Sequence, residues 1–280
     1  MQLKKINLTH SIKNTLNCLM SKDKIIILGS GSSTGVPRID GYWGRANKKY
    51  FKNNRTRCSI YIKYKNLNIL IDTSPDLRNQ LLKNKIKKID NVIYTHDHAD
   101  QTHGINELRP FFWQNKKKIN IYTNRDTAKT LYKSFNYLFT KKSKFYNPIL
   151  KINIIKNKFF IRKKENKILL EPIMVSHGDT KAYGYLFKKI AYISDCSHIS
   201  EDELKKLYNL NILIIDCLKF KKHKTHLNYY EVIKYIKILN PKKTILTNLH
   251  SDIDYIKLKN KLSKLKNNIV PAYDGMNIKI

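Results

Sequence analysis

The stretch Thr95-His96-Asp97-His98-Ala99-Asp100 is the most informative part of the sequence, because it gathers metal-binding side chains directly after a buried strand. Residues 90–94 are predicted to form that strand. In extended backbone, the pattern His-x-His places two imidazoles on the same side of the chain, and a carboxylate follows two residues later. Imidazole nitrogens and carboxylate oxygens are the ligands that Zn²⁺, Mn²⁺ or Fe²⁺ take in proteins. We therefore predict a metal site here.

The remaining pattern predicts strands first, and alternating strands and helices later. Strands are expected at residues 24–28, 59–64, 67–71 and 118–123, with further strand-like runs within 150–175, and a hairpin at 183–193 with its turn at Lys188-Lys189. Helices are expected near 200–207, 228–239 and 253–265, with strands at 212–215 and 244–247 between them. This order favours an α/β fold (α+β by some schemes), with two mixed sheets packed face to face and helices outside.

Two local features are predicted with less support from periodicity. Ser74 is expected to cap a helix that has Pro75 at its first position. Residues 143–168 are strongly basic and weakly patterned, so they are interpreted as a loop or insertion. Residues 1–23 are predicted to be a dispensable N-terminal extension, and residues 24–280 a single domain.

The net charge of +34 raises the question of a polyanionic partner. Nearly all of the excess is Lys rather than Arg, and Arg is the residue that clamps phosphates and reads bases. We interpret the charge mainly as background composition. It favours a small anionic phosphoester substrate, whereas a nucleic-acid partner is not favoured.

The four cysteines argue against two classes of protein. Cys18, Cys58, Cys196 and Cys217 form no CxxC pair, as a zinc knuckle would require, and their wide spacing is not that of a secreted disulfide framework. No apolar run approaches the ~18–20 residues that span a bilayer, so no membrane partner is predicted. The cytoplasm is the expected location. The sequence leaves open whether the protein forms a homodimer.

Several motifs, taken in order, resemble those of the metallo-β-lactamase superfamily. Within it they resemble the PhnP-like branch, the phosphoribosyl cyclic phosphodiesterases and their relatives. The stretches that carry the resemblance are LGSGSSTGVPRI, NRTRCS, IDTSPDLRNQLL, THDHADQTHGINELR and PAYDGM. They extend from about Lys24 to the C terminus. The resemblance implies an αββα sandwich with metal ligands on loops at one edge of the two sheets.

The resemblance also implies a ligand set. His96, His98 and His177 would bind a first metal, and Asp195 matches a carboxylate that bridges two metals. Asp100 would bind the second metal and help to hold the attacking hydroxide. The expected cofactor is a divalent metal, Zn or Mn, with one or two ions per chain.

Other residues are expected around the metal. Asp72 would hydrogen-bond to the histidine loop and orient it. His226, in the cluster that begins at His223, matches a position near the substrate phosphate and is the candidate catalytic acid. The alternative is that His226 only packs beside the helix that follows. For Arg55 and Arg57 the sequence leaves two interpretations open: contact with a substrate phosphate, or a surface charge.

Two positions depart from the family pattern. Gln101 and Asn248 stand where histidines are expected, and His103 and His250 follow two residues after them. Two residues of extended chain keep a side chain on the same face but move it by roughly 6–7 Å. Either the second site is rebuilt, with His250 as the predicted ligand, or the enzyme is effectively mononuclear. For His103 the alternative is a solvent-facing residue near a helix start.

The predicted function is hydrolysis of a small, cyclic phosphodiester by a metal-activated water. One alternative is an RNA-processing nuclease of the same superfamily, although the sequence has no Gly/Pro-rich arm of the kind that grips tRNA. The other alternative is a metal-binding protein that has lost catalysis. Retention of the five metal-ligand candidates argues against it.

Overall fold

Two seven-stranded sheets form the centre of the fold. The computed structural model describes residues 23–141 and 144–280. Apart from Asp23, the predicted N-terminal extension, residues 1–23, lies outside the described residues. The two sheets place the carboxyl ends of several strands close together, and the candidate site is built there.

The first sheet has the order β14-β1-β2-β3-β4-β5-β6. Its strands are β1 (Lys24–Gly29), β2 (Ser59–Tyr64), β3 (Leu67–Ile71), β4 (Asn91–Ile93), β5 (Ile119–Thr123), β6 (Leu150–Ile154) and β14 (Met276–Lys279). β14, β1, β2 and β3 pair antiparallel, while β3 to β6 pair parallel. Because β3 and β4 are parallel, Asp72 and the histidine stretch follow at the same edge.

The second sheet has the order β13-β12-β11-β10-β9-β8-β7. Its strands are β7 (Phe159–Lys163), β8 (Asn166–His177), β9 (Thr180–Phe187), β10 (Ile190–Ile193), β11 (Ile212–Asp216), β12 (Lys243–Thr247) and β13 (Ile269–Pro271). β10 to β13 are parallel. Their carboxyl ends therefore bring Asp195, Asp216 and Asn248 to one edge.

Seven α-helices flank the sheets in the described part of the chain. They are α1 (Leu77–Lys83), α2 (Ala99–Thr102), α3 (Arg109–Asn115), α4 (Arg125–Phe135), α5 (Glu201–Lys206), α6 (Tyr229–Leu239) and α7 (Tyr255–Leu262). None of these helices is long and apolar enough to cross a membrane.

Three apolar layers hold the elements together. In the middle layer, buried residues of both sheets pack against each other, for example Ile60 of β2 and Ile214 of β11. One outer layer packs β4 against α1 and α3, and the other packs β11 against α6 and α7. The predicted αββα sandwich is therefore confirmed.

Helix α6 begins with a capping box that fixes the loop before it. The Asn228 side chain accepts hydrogen bonds from the backbone N–H groups of Tyr230 and Glu231, and the Glu231 carboxylate accepts one from the Asn228 N–H. Because His226 lies just before this box, the start of the helix sets the position of its imidazole.

The predicted hairpin is confirmed, but two other local predictions were wrong. β9 and β10 pair antiparallel around Lys188-Lys189. Helix α1 begins at Leu77 rather than Pro75, since the Ser74 hydroxyl accepts the Asp76 N–H in a turn before it. The supposed loop at 143–168 contains β6 and β7, which agree instead with the strand-like runs expected within 150–175. Both strands lie at the ends of their sheets, so each is half-buried and its apolar pattern is weak.

Candidate metal centre

Three histidines from two sheets converge at the edge of the sandwich. His96 and His98 follow β4, and His177 ends β8. Their candidate ligand atoms all lie within 4.8 Å of one another. The ring centroids are 4.5 Å apart for His96 and His98, and 5.2 Å apart for His96 and His177. The sandwich thus brings together histidines that are far apart in the sequence.

Asp72 and Thr95 orient the ring of His96. The Asp72 carboxylate accepts the Thr95 backbone N–H at 2.8 Å and its hydroxyl at 2.9 Å. Burial raises the pKa of Asp72, while both hydrogen bonds favour its ionised form. Since the Thr95 hydroxyl donates its hydrogen to Asp72, His96 Nδ1, 3.0 Å from Thr95 Oγ1, carries its own hydrogen. Nε2 of His96 then has a free lone pair. This atom is buried and has no hydrogen-bond partner in the described ranges.

The ring of His177 is fixed in the same tautomer by a backbone carbonyl. Its Nδ1 lies 2.7 Å from the oxygen of Thr225, and a carbonyl can only accept. Nε2 of His177 is therefore free to bind a cation. Burial lowers the pKa of His96 to about 4, and it also lowers the pKa of His177. Both rings are neutral near pH 7, as metal binding requires.

Asp195 supplies the negative charge of the centre. It follows β10 and forms a second convergent set with His177 and His226, again within 4.8 Å. Burial raises the pKa of Asp195, but His96, His226 and His177 outweigh it and lower that pKa below its usual value. Free imidazole nitrogens beside an ionised carboxylate are the donor chemistry of Zn²⁺ and Mn²⁺ sites. The residues present therefore fit a divalent cation.

His226 is held by a buried carboxylate that the sequence reasoning missed. Oδ2 of Asp216 lies 2.8 Å from His226 Nδ1 and also accepts the Cys196 N–H at 3.0 Å. Burial lowers the pKa of His226, but the charges of Asp216 and Asp195 outweigh it and raise that pKa to about 9. A signal for Asp216 was present, since the apolar strand 212–216 ends in this carboxylate.

Two buried amides contact the carboxylates of the centre. Gln101 Nε2 lies 3.2 Å from Asp100 Oδ2 and 3.3 Å from Asp195 Oδ2. Asn248 Nδ2 lies 3.0 Å from the Ser194 carbonyl oxygen and 3.4 Å from Asp195 Oδ1. Gln101 is linked to both carboxylates, and Asn248 to one of them.

The structure places Asp100 and His250 outside both convergent sets. Asp100 contacts the centre through Gln101, and burial together with the charge of Asp195 raises its pKa. His250 Nδ1 accepts the backbone N–H of Asp252 at 3.2 Å. The roles of Asp100 and His250 as metal ligands, and of Asp100 in catalysis, stay predictions from the sequence.

The two remaining histidines have different surroundings. His103 directly follows α2 as its C-cap, and its ring packs against Phe135 with 5.5 Å between centroids. The ring of His223 lies 5.3 Å from that of His226, at the rim of the centre. Burial lowers the pKa of His223, and the positive charge of Lys219 lowers it further. Burial also lowers the pKa of His250, and the positive charges of Lys219 and Arg38 lower it further.

The two arginines left open by the sequence both have structural partners. Arg55 is 1% exposed, and its guanidinium donates to the carbonyls of His250 and Ile253 and to the Asn53 side chain. Arg57 forms an ion pair with Asp76 at 3.0 Å. Arg55 therefore supports the loop that follows Asn248.

Comparison with known proteins agrees with this architecture. A family model for a beta-lactamase superfamily domain matches residues 67–248. A crystal structure described as a new diphosphatase from the PhnP family is 30% identical with a TM-score of 0.82, over 91% of this chain and 96% of that one. The chain belongs to the metallo-β-lactamase superfamily, in its PhnP branch. It has the metallo-β-lactamase fold, and the predicted family is confirmed.

Two further similarities are more distant. Octanoyltransferase from Porphyromonas gingivalis (strain ATCC BAA-308 / W83) is 28% identical over 257 residues. These residues are 90% of this PhnP-family chain but 51% of that protein, so the chain spans about half its length. Human tRNase Z, short form, is 16% identical with a TM-score of 0.66, over 92% of this chain and 99% of that one. At that identity the similarity shows a shared fold.

Proposed function

We propose that this protein hydrolyses a small phosphodiester, foremost a cyclic one, with a divalent ion held by His96, His98, His177 and Asp195. The observation that carries the proposal is the His226–Asp216 pair, which places an oriented imidazole beside the proposed ligands. Such a pair suits a reaction in which a leaving oxygen must gain a proton.

Two of the proposed ligands already present a free nitrogen to the ion. Nε2 of His96 and of His177 are free because Thr95 and Thr225 occupy the Nδ1 atoms. A bound divalent ion supplies Lewis acidity, which lowers the pKa of water and offsets negative charge on a phosphoryl group. Asp195 adds its carboxylate, so a divalent ion would keep net positive charge toward the substrate.

His226 is the proposed proton donor. Asp216 holds the hydrogen on Nδ1 and stabilises the charged ring. The second hydrogen of that ring is then on Nε2, from which it can pass to the leaving oxygen. Asp216 also prevents ring rotation, since a flipped ring would lose a charge-assisted hydrogen bond inside the protein.

The rim of the centre favours an anionic substrate. Lys219 and Arg38 lie close enough to His250 for their charges to lower its pKa, and Lys219 acts in the same way on His223. The net charge of +34 acts in the same direction at longer range. A phosphodiester keeps a negative charge at neutral pH, whereas a carboxylic ester or lactam ring has none at the reacting group.

A diphosphate is the second candidate substrate. The solved structure with 30% identity is described as a diphosphatase of the PhnP family. Cleavage of a phosphoanhydride would use the same ion and the same rim, but its leaving group is a phosphate that needs less protonation. Dependence on His226 therefore separates the two substrates.

A substrate panel tests the proposal. The full chain, loaded with Zn²⁺ or Mn²⁺, is incubated with a 2′,3′-cyclic nucleotide, a nucleoside diphosphate or a precursor tRNA. We expect the cyclic phosphodiester to be cleaved fastest. His226→Asn should lower kcat on it by about 100-fold or more. His198→Asn is the matched control, because His198 is an exposed histidine outside the centre.

Other outcomes would replace the proposal with a defined alternative. Fastest cleavage of the diphosphate, with little effect of His226→Asn, would indicate a diphosphatase. Fastest cleavage of precursor tRNA would indicate a nuclease. Absence of turnover on every phosphoester by the metal-loaded protein would indicate a binding protein.

A further inference from the structure

The amide of Gln101 acts as a hydrogen-bond donor to two carboxylates of the centre. Gln101 is 1% exposed, and Nε2 lies within 3.3 Å of one oxygen each of Asp100 and Asp195. An amide nitrogen has two hydrogens, so both are used. The opposite orientation would place the amide oxygen against two acidic groups, so these contacts determine which atom faces them. The amide therefore presents positive hydrogens to the carboxylates.

Asn248 acts in the same way from the second sheet. Its Nδ2 donates to the Ser194 carbonyl at 3.0 Å and to Asp195 Oδ1 at 3.4 Å. It also lies 3.2 Å from His226 Nδ1, but that atom carries the hydrogen donated to Asp216 and cannot accept another. Both oxygens of Asp195 thus face amide hydrogens. A second cation beside Asp100 and Asp195 would have to displace these donors.

His177 limits the number of ions independently. The two convergent sets share this residue, since one contains His96 and His98 and the other Asp195 and His226. Nδ1 of His177 is committed to the Thr225 carbonyl at 2.7 Å, which leaves a single free nitrogen. One nitrogen lone pair binds one ion, so the two sets cannot each hold an ion through His177 at the same time.

We propose that the centre holds one metal ion per chain, with the amide hydrogens of Gln101 and Asn248 in place of a second cation. The ion is bound by His96, His98 and His177 with Asp195. The amides are positioning groups: they hold Asp195 against the ion and offset the repulsion between Asp195 and Asp100. The inference rests on the metal site of the proposed function but not on its substrate.

Metal stoichiometry tests the proposal without measuring catalysis. The full chain is freed of metal with a chelator, equilibrated with excess Zn²⁺ and, separately, with Mn²⁺, dialysed, and analysed for metal and protein. We expect about one ion per wild-type chain, as a His₃–carboxylate set would hold. The double variant Gln101→His/Asn248→His should bind about two ions. In it, two amides that donate hydrogen bonds are replaced by imidazoles, whose nitrogens can bind a metal ion.

A matched control separates the position of the histidines from their number. Gln114→His/Asn209→His adds the same side chains at exposed positions. Asn209 also has the left-handed backbone of Asn248, with φ of 60° against 59°. This control should stay at about one ion. Two ions bound to the wild-type chain would overturn the proposal, as would a control that gains an ion together with the test variant.

A second variant keeps the test independent of how well the double variant folds. Gln101→Glu has the same shape but replaces the hydrogen donor with a third carboxylate. In chelator its thermal unfolding temperature should fall below that of the wild type, and added Zn²⁺ should restore it. An unchanged unfolding temperature in chelator would show that the amide hydrogens do not stabilise the carboxylates. One ion per chain with no turnover of phosphoesters would refute the proposed substrate and leave this inference intact.

Discussion

Oδ2 of Asp216 accepts both the ring N–H of His226 and the backbone N–H of Cys196, while its Oδ1 has no partner among the described residues. Asparagine can reproduce this arrangement, with its oxygen in place of Oδ2 and its nitrogen in place of Oδ1. Asp216→Asn therefore removes the charge and keeps the hydrogen bonds.

We expect Asp216→Asn to lower kcat on a cyclic phosphodiester by about 10–100-fold, the range seen when a supporting group is lost. KM should change little, because His226 keeps its orientation. Asp216→Ala should lower kcat further and also destabilise the fold, since the Cys196 N–H loses its acceptor. Steady-state kinetics and thermal unfolding together distinguish the effect of Asp216→Asn from that of Asp216→Ala. Equal kinetics for Asp216→Asn and the wild type would exclude a role for the charge.

Thr95→Val should weaken metal binding. The hydroxyl of Thr95 links Asp72 to Nδ1 of His96, so its loss frees the ring to rotate. We expect the dissociation constant for Zn²⁺, measured by competition with a chromophoric chelator, to rise by about 10–100-fold.

Thr123→Val is the matched control for that prediction. Thr123 is a fully buried threonine at the end of the neighbouring strand β5, and its hydroxyl has no partner in the part of the chain that the structure describes. The control should leave metal affinity unchanged and should not lower the unfolding temperature. Similar losses of affinity in both variants would attribute the effect to general repacking.

Arg55→Met should destabilise the protein rather than weaken substrate binding. The guanidinium donates to the carbonyls of His250 and Ile253 inside the protein, and methionine leaves the Ile253 carbonyl without this donor, while the His250 carbonyl keeps only the Ile253 N–H. We expect the free energy of unfolding in urea to fall by about 3 kcal/mol or more. Arg57→Met should cost about 1 kcal/mol or less, because that ion pair is partly exposed. A raised KM with unchanged stability for Arg55→Met would indicate a phosphate contact instead.

Removal of metal should lower the thermal unfolding temperature of the wild-type chain. Binding to the native state alone stabilises it, by about 2.7 kcal/mol when free metal is 100 times the dissociation constant. The difference in thermal unfolding temperature between the chelator-treated and the Zn²⁺-loaded protein is measured by calorimetry. In His177→Ala the difference should shrink strongly, because the residue shared by both convergent sets is missing.

The fold and part of the site were predictable from local patterns. His96, His98 and Asp195 each follow an apolar strand, and candidate ligands at strand ends can be found one strand at a time. The pairing of Asp216 with His226 and the donation from Gln101 to Asp195 depend on how separate strands and loops meet. A single sequence does not contain those distances. Strand-like runs were predicted within 150–175, but β6 and β7 were not separated from the supposed loop at 143–168, because each strand is only partly buried and its apolar alternation is weak.

The last strand, β14, returns to the first sheet and pairs with β1 along Lys24 to Ile27. During synthesis, β1 leaves the ribosome early, but its partner Met276–Lys279 emerges only after the whole second sheet. Until then one edge of KIIILG is open to pairing with other nascent chains. Closure of the first sheet therefore comes late in synthesis, and a chain that stops before β14 would leave this edge of β1 open to such pairing.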